Sequence, residues 1–442
     1  MTKRPRIPES LEDRVERQEV ELLAIGAGPA NLALGVALEE MALEEIAHDT
    51  LIIEQHDSVE WQRGMLLPWT QSQVSFLKDL VTLRNPRSRF SFVNYLHSVG
   101  RLDEFINLGS FTPYRLEISG YLRWVAESLR AVRIEHGRRC VSIKPCHASD
   151  GQVDEWLVEL ADGGQIVCRN LVIGAGRDTH IPAEFSGLPR ARVIHSTEFS
   201  ARVADLDTGD PLRVAVIGGA QSAAEMLWAT YQGFPRARCT MVMRSIGLNA
   251  YETSKFTNEL FYPSFIDEFH AALPEAREQL LREMHRTNYA GLAPNMLDSL
   301  YRAIYQDRLT GTERLRMVTM AEVTDARMDG GDVVLTLADR KSHRVDELRC
   351  DVVMLGTGFV RGMPRMVRDL AATAGVGEAR VSRNYRMDLP PSFTAGCYLQ
   401  GVNEATHGIA DSLLSVLAAR SEEIVTELLA SRHDPELVLN TH

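Results

Sequence analysis

Twice in this chain an apolar, β-branched run breaks into glycine and resumes as a helix of small residues. Residues 20–40 (VELLAIGAGPANLALGVALEE) predict a buried strand, a tight turn at Gly26 and Gly28, and a helix opening at Pro29 and Asn31. Residues 212–231 (LRVAVIGGAQSAAEMLWATY) repeat the grammar at Gly218 and Gly219, with Gln221 and Ser222 opening the helix. A turn of this kind presents free backbone N–H groups, backed by the helix dipole, to a pyrophosphate. Two of them predict two dinucleotides, and a flavin with a nicotinamide in one chain predicts redox chemistry.

Between and after these turns the pattern alternates. A second apolar run, TLIIEQHD, ends in Glu54, 28 residues after Gly26, where an acid can hold a ribose hydroxyl. Residues 61–124 lose this rhythm and become rich in aromatics, prolines and polar groups, which predicts an insertion that covers a cofactor or shapes a pocket. GYLRWVAESLRAV reads as an amphipathic helix; RRCVSIKPC, EWLVELADG and QIVCRNLVIGAG read as strands with a hairpin at ADGG. The strand after the second glycine turn, CTMVMRS, ends in Arg244 rather than an acid, the exchange expected for a 2′-phosphate and hence for NADPH. Residues 274–307 read as helical scaffold with RTNYAG in a turn. Strands return at 316–328, 332–339 and 350–359, and the chain closes on a strand, a polar turn and a long helix.

The predicted fold class is therefore α/β, with two Rossmann-like dinucleotide-binding domains and a small substrate region at their interface. Residues 1–18 are expected to be a mobile arm. The FAD unit is expected at 19–205 and 346–442, with the NADPH unit inserted at 206–345 and a substrate-contacting helical segment at about 250–307.

The chain has 442 residues, 45% hydrophobic and 24% charged, which is globular composition. A net charge of −12 without a basic block argues against nucleic-acid binding. No apolar run approaches the roughly 20 residues of a membrane span, and the charged start lacks a signal-like apolar region, so a cytoplasmic location is expected. Six scattered cysteines form no CxxC pair and predict reduced thiols without a metal site.

Several longer segments are more specific than either glycine turn: QVSFLKDLVTLRNPRSRFSFVNYL, FINLGSFTPYRLEISGYLRWV, GGAQSAAE, FTNELF, HRTNY and THGIADSLLSVLAAR. Through them the chain resembles the flavin-dependent N-hydroxylating monooxygenases of siderophore biosynthesis, the ornithine and lysine N-monooxygenase type, over nearly its whole length. The resemblance implies FAD on Gly26, Gly28, Pro29 and Asn31, with Gln73 near the flavin ring, and NADPH on Gly218, Gln221 and Ser222 with Arg244 toward the 2′-phosphate. It implies Lys78, Asn258 and Asn288 as holders of an amino-acid substrate and Ser415 as a group beside both flavin and substrate. It further implies that O₂ adds to the reduced flavin as a C4a-hydroperoxide, which the neutral amine attacks, and that the enzyme is a homo-oligomer, dimer or tetramer. A lysine and two amides can clamp a carboxylate and leave the distal amine facing the flavin.

L-Ornithine is the expected substrate. L-Lysine, a diamine such as putrescine or cadaverine, or another amino acid stay open, as does an uncoupled NADPH oxidase. Four features depart from the family pattern: Ala220 in the second glycine turn, where a methyl would weaken nicotinamide binding; Gln62; GTGF at 356–359; and the run NAYETSKF before Asn258. Several residues have structural alternatives: Glu54 and Arg244 as exposed charges at strand ends, and Asn258 and Asn288 as helix caps or turn formers. His407 is expected to fix a polar turn, and Asp79 would make Lys78 scaffold if the two form an ion pair.

Overall fold

A computed structural model of the chain describes residues 17–433 other than 43, 253 and 290. The first sheet centres on β1 (Arg17–Ile25), which runs parallel to β2 (Thr50–Ile53) on one side, with β3 (Arg133–Glu135) beyond it. β4 (Cys140–His147) and β5 (Val153–Leu160) pair antiparallel, and β5 turns at residues 161–164, the expected hairpin, to pair antiparallel with the first half of β6 (Gln165–Ile173). β6 lies parallel to β1 along its other edge.

The second sheet is wholly parallel. It contains β7 (Val193–His195), β8 (Arg213–Ile217), β9 (Arg238–Val242), β10 (Leu315–Val318) and β14 (Val352–Leu355), in the order β10-β9-β8-β14-β7. A three-stranded antiparallel meander of β11 (Ala321–Asp329), β12 (Asp332–Asp339) and β13 (Val345–Cys350) stands beside it. β15 (Gly396–Leu399) returns to the first sheet, parallel to the second half of β6.

These pairings move the expected boundaries. β7 and β14 belong to the second sheet, so that unit starts before residue 206 and ends after 345; a four-residue apolar run looks the same whichever sheet receives it. Arg17 and Gln18 already open β1, and the rest of the expected mobile arm lies outside the described residues. The six cysteines are free thiols, four of them buried. Among the described residues no helix is long and apolar enough to cross a membrane.

One face of the first sheet packs against the helices Pro29–Met41, Arg115–Ser128 and Leu417–His433, burying Leu32, Val36, Tyr121, Val125, Ile424 and Val425. The other face buries Trp156 with Val367 and Leu370 of the helix Arg365–Thr373. The Trp156 indole finds its acceptor on the Gly396 carbonyl at 2.9 Å, locking β5 to the returning β15. In the second sheet, Val214 and Val216 pack against Ala223, Ala224 and Leu227 of the helix Gln221–Gly233.

A buried polar chain ties the first glycine turn to the C-terminal helix. Asn31 donates to the carbonyls of Ile25 and Gly26 at 2.9 and 2.7 Å and accepts from Gln400 at 2.8 Å. Gln400 accepts from Arg420 at 3.1 Å, and Arg420 donates to the carboxylate of Asp411 at 2.9 Å. Arg420 and Asp411 are 1% and 0% exposed, so each is the other's main charge compensation. Asp411→Ala should lower unfolding stability by about 3–5 kcal/mol, the cost of an orphaned buried charge. Urea unfolding measures it, and a loss below about 1 kcal/mol would mean that Arg420 re-pairs elsewhere.

Candidate functional site

Both glycine turns have the backbone that the sequence requires. Gly26 has φ +93°, and a β-carbon there would stand 2.9 Å from the Gly174 carbonyl oxygen; Gly218, at φ +140°, would meet Gly356 in the same way. Only glycine fits either position. The helix after the first turn starts at Pro29 with Gly28 as its cap, and no side chain closes its N-terminus. Glu54 follows β2 as expected; it accepts from the N–H of Ala27 at 2.8 Å and of His56 at 3.0 Å, which places the strand-end carboxylate against the turn. An open helix N-terminus beside a carboxylate fits a dinucleotide's pyrophosphate and ribose.

The second turn is similar. Ala220 caps the helix Gln221–Gly233 in ordinary extended backbone, and no side chain occupies the helix end. The methyl therefore introduces no backbone strain. Ser222 is half-buried and its hydroxyl is unbonded among the described residues. Arg244 lies just past β9, 72% exposed, with only a 3.9 Å contact to Glu322, so its guanidinium is available to a phosphate.

Two residues expected at the cofactors have their side-chain amides engaged within the protein. Asn31 is fully buried and both ends of its amide are engaged within the protein, so it shapes the glycine turn from behind instead of facing a ligand. Gln221 is likewise engaged: its Nε2 donates to Glu225 at 2.8 Å and its Oε1 accepts from the N–H of Ala293 at 2.9 Å. Spacing places a residue on a turn but does not say which way its side chain points.

Lys78 and the elements that carry Asn258 and Asn288 lie around residues 409–416, with Asn258 itself exposed. Leu414 and Lys78 line one recess together with Phe76, Ile118 and Tyr121. Phe261, three residues after Asn258, packs with Ile409, Ala410 and Val416. Asn288 ends the helix Pro274–Asn288, and its neighbour Tyr289 bonds through its hydroxyl to Glu404 at 2.8 Å and to Ser412 at 3.2 Å. Ser415, within this segment, is buried. Gln73 is exposed in the loop five residues before Lys78.

Lys78 and Asp79 do not pair. Asp79 accepts from the N–H groups of Val81, Thr82 and Phe92 and from the Thr82 hydroxyl at 2.6–3.0 Å, which fills its carboxylate. The Lys78 ammonium has no partner among the described residues, and its half-burial lowers its pKa from the ordinary lysine value. The amides of Asn258 and Asn288 are also unbonded there. His407 stacks on Tyr385 at 4.2 Å, bonds the Arg383 carbonyl at 3.0 Å, and is pushed down to about 4 by burial. It is neutral at physiological pH and fixes the turn, as expected.

Sequence reasoning missed the pair that joins the two sheets. Arg115, in the insertion, forks onto Glu225 at 2.7 and 2.8 Å, with the two residues 6% and 1% exposed. The available signal was Glu225 itself, an acid four residues after Gln221 on the apolar face of a helix.

The comparisons with known proteins agree with this geometry. The model of the L-lysine 6-monooxygenase/L-ornithine 5-monooxygenase family matches residues 18–361. An L-ornithine N(5)-monooxygenase of Pseudomonas aeruginosa is 36% identical over 411 residues, 91% of this chain and 92% of that protein. One from Burkholderia cepacia is 38% identical over 408 residues, 89% of this chain and 91% of that protein. Among solved structures, the ornithine N-hydroxylase of Kutzneria sp. 744, with reduced FAD, NADP⁺ and L-ornithine, superposes with a TM-score of 0.86 at 34% identity over 94% of this chain and all of that one. With two glycine turns, a strand-end acid and these matches along most of its length, the chain belongs to the L-lysine 6-monooxygenase/L-ornithine 5-monooxygenase family.

Proposed function

We propose that the protein N-hydroxylates the side-chain amine of L-ornithine, using FAD, NADPH and O₂. FAD lies on the first glycine turn and NADPH on the second, with Arg244 at the 2′-phosphate. When bound, the flavin supplies the chemistry, taking hydride from NADPH and activating O₂ for transfer of one oxygen atom.

This chain's residues bind and orient. Lys78 takes the substrate carboxylate through a charge-assisted hydrogen bond, Asn258 and Asn288 supply neutral ones, and the distal amine is left toward Ser415 and the flavin edge near Gln73. The observation that carries this reading is the Lys78 ammonium: half-buried, unpartnered, and beside an aspartate already filled by four hydrogen bonds. A carboxylate compensates it; a diamine adds a second positive charge.

The first test is the amount of N-hydroxylated product per NADPH, with peroxide followed in parallel, for L-ornithine, L-lysine, putrescine and cadaverine. Coupled product with ornithine is expected. Product confined to the diamines would overturn the carboxylate clamp, and peroxide alone with every amine would make the protein an oxidase.

Replacing Lys78 by Met should raise the ornithine KM by about 10–100-fold, the worth of one charge-assisted hydrogen bond, while NADPH oxidation continues and releases peroxide. An unchanged KM would remove Lys78 from the site.

The pH profile carries a separate sign. The amine reacts unprotonated, so kcat/KM rises toward the free amine pKa of about 10.4. Lys78 must stay charged, and its pKa is lowered by burial, so raising the pH past that lowered value removes the anchor and kcat/KM falls. The expected profile is a bell whose alkaline limb disappears in Lys78→Arg, because a guanidinium stays charged. A limb that persists in the arginine variant belongs to another group.

A further inference from the structure

The segments that carry Asn258 and Asn288 are clamped to each other. Ala250 bridges Leu292 in parallel, with the Tyr251 N–H on the Leu292 carbonyl at 3.1 Å and the Leu292 N–H on the Asn249 carbonyl at 2.9 Å. The approach is so close that a β-carbon on Gly291 would overlap the Tyr251 backbone. The next N–H, that of Ala293, is held by the Gln221 carboxamide at 2.9 Å.

Gln221 in turn holds Glu225 at 2.8 Å, and Glu225 is fixed by the two-pronged contact from Arg115. Arg115 opens a helix whose Ile118, Tyr121, Leu122 and Val125 pack into the core of the first sheet. One carboxamide thus stands between a rigid anchor and the loop pair bearing both candidate substrate amides. It does so from the first turn of the helix that follows the second glycine turn.

We propose that Gln221 is a positioning residue for the amine, holding residues 249–258 and 288–293 in register from the nicotinamide-side helix, and thereby coupling amine binding to dinucleotide binding. The inference rests on the proposed substrate role of Asn258 and Asn288. Because the Ala293 bond and the turn that receives a pyrophosphate share one residue, a ligand ordering that turn also orders the loop pair. By linkage the effect is reciprocal: NADP⁺ tightens the amine by the factor with which the amine tightens NADP⁺.

The test uses FAD-loaded Gln221→Met, which keeps the length and shape of the side chain but loses both bonds. Amide hydrogen exchange should accelerate in peptides spanning 249–262 and 286–293 and stay unchanged in the first sheet. The amine KM should rise about five- to tenfold, what one buried hydrogen bond is worth, with the NADPH KM changed less than twofold. The mutual tightening of amine and NADP⁺, read by equilibrium titration, should be lost.

A raised NADPH KM with unaltered exchange in 249–262 would make Gln221 a plain dinucleotide contact and overturn the proposal. Exchange accelerated throughout the protein would make it a general stability residue and overturn it equally. If no amine is hydroxylated the functional reading fails, whereas the exchange result still decides the clamp. Should the variant not fold, the unmutated protein decides: the amides of Tyr251, Leu292 and Ala293 should open with one common free energy, and unequal protection would refute a shared clamp.

Discussion

The buried contact between Arg420 and Asp411 is the constraint from which the rest of the site follows. A guanidinium at 1% exposure and a carboxylate at 0% must stay together, because separating them leaves an uncompensated charge in the interior. Asp411 also accepts from the N–H of Asn403 at 2.7 Å, and Arg420 passes the constraint to Gln400 and from there to Asn31 behind the first glycine turn. The polar turn between β15 and the last helix is therefore fixed against the dinucleotide turn. That turn runs directly into Leu413–Val416, so Ser415 and the wall opposite Lys78 take their positions from the same network.

The second unit is attached differently. Its helix Gln221–Gly233 is held to the first unit by Arg115 and Glu225, a pair with two parallel charge-assisted hydrogen bonds. Such a contact fixes orientation better than an apolar patch of the same size, since two parallel bonds tolerate little rotation. Buried ionic pairs are weak evidence for stability in general. Here the pair ties the helix after the second glycine turn to a helix packed on the first sheet, and orientation is the property that redox transfer between two bound cofactors demands.

Much of the fold was legible in the sequence, because its signals are local. A β-branched run, a glycine with positive φ and a small-residue helix are dictated within about twenty residues, and both turns lie where the pattern puts them. Glu54 and Arg244 follow from the same grammar at the next strand end. What escaped is non-local. Nothing in the apolar run of Val352–Leu355 says that it pairs with β8 and not with the first sheet. Nor does the sequence show that the amides of Asn31 and Gln221 turn inward; each was expected at a cofactor only through the family resemblance. The ambiguity between Lys78 and Asp79 needed the fold as well, since the N–H groups that fill Asp79 come from residues up to thirteen positions away.

In the proposed reading, the unpartnered lysine and the clamped loops act on different aspects of substrate choice. An isolated, partly desolvated ammonium disfavours any ligand that brings no anion, so it selects for amino acids over diamines by leaving the wrong ligand's site uncompensated. It does not measure chain length. Length is measured by the distance from the proposed carboxylate anchor, Lys78 with Asn258 and Asn288, to the flavin edge, and that distance is fixed only if the backbone of both loops is held firmly. A single methylene is worth about 1–3 kcal/mol in discrimination, and only when the pocket cannot relax to absorb it. The bridge between Ala250 and Leu292, closed over Gly291 and pinned at Ala293, supplies that rigidity. On the proposed site, charge thus selects the class of substrate, and backbone clamping selects the member within it.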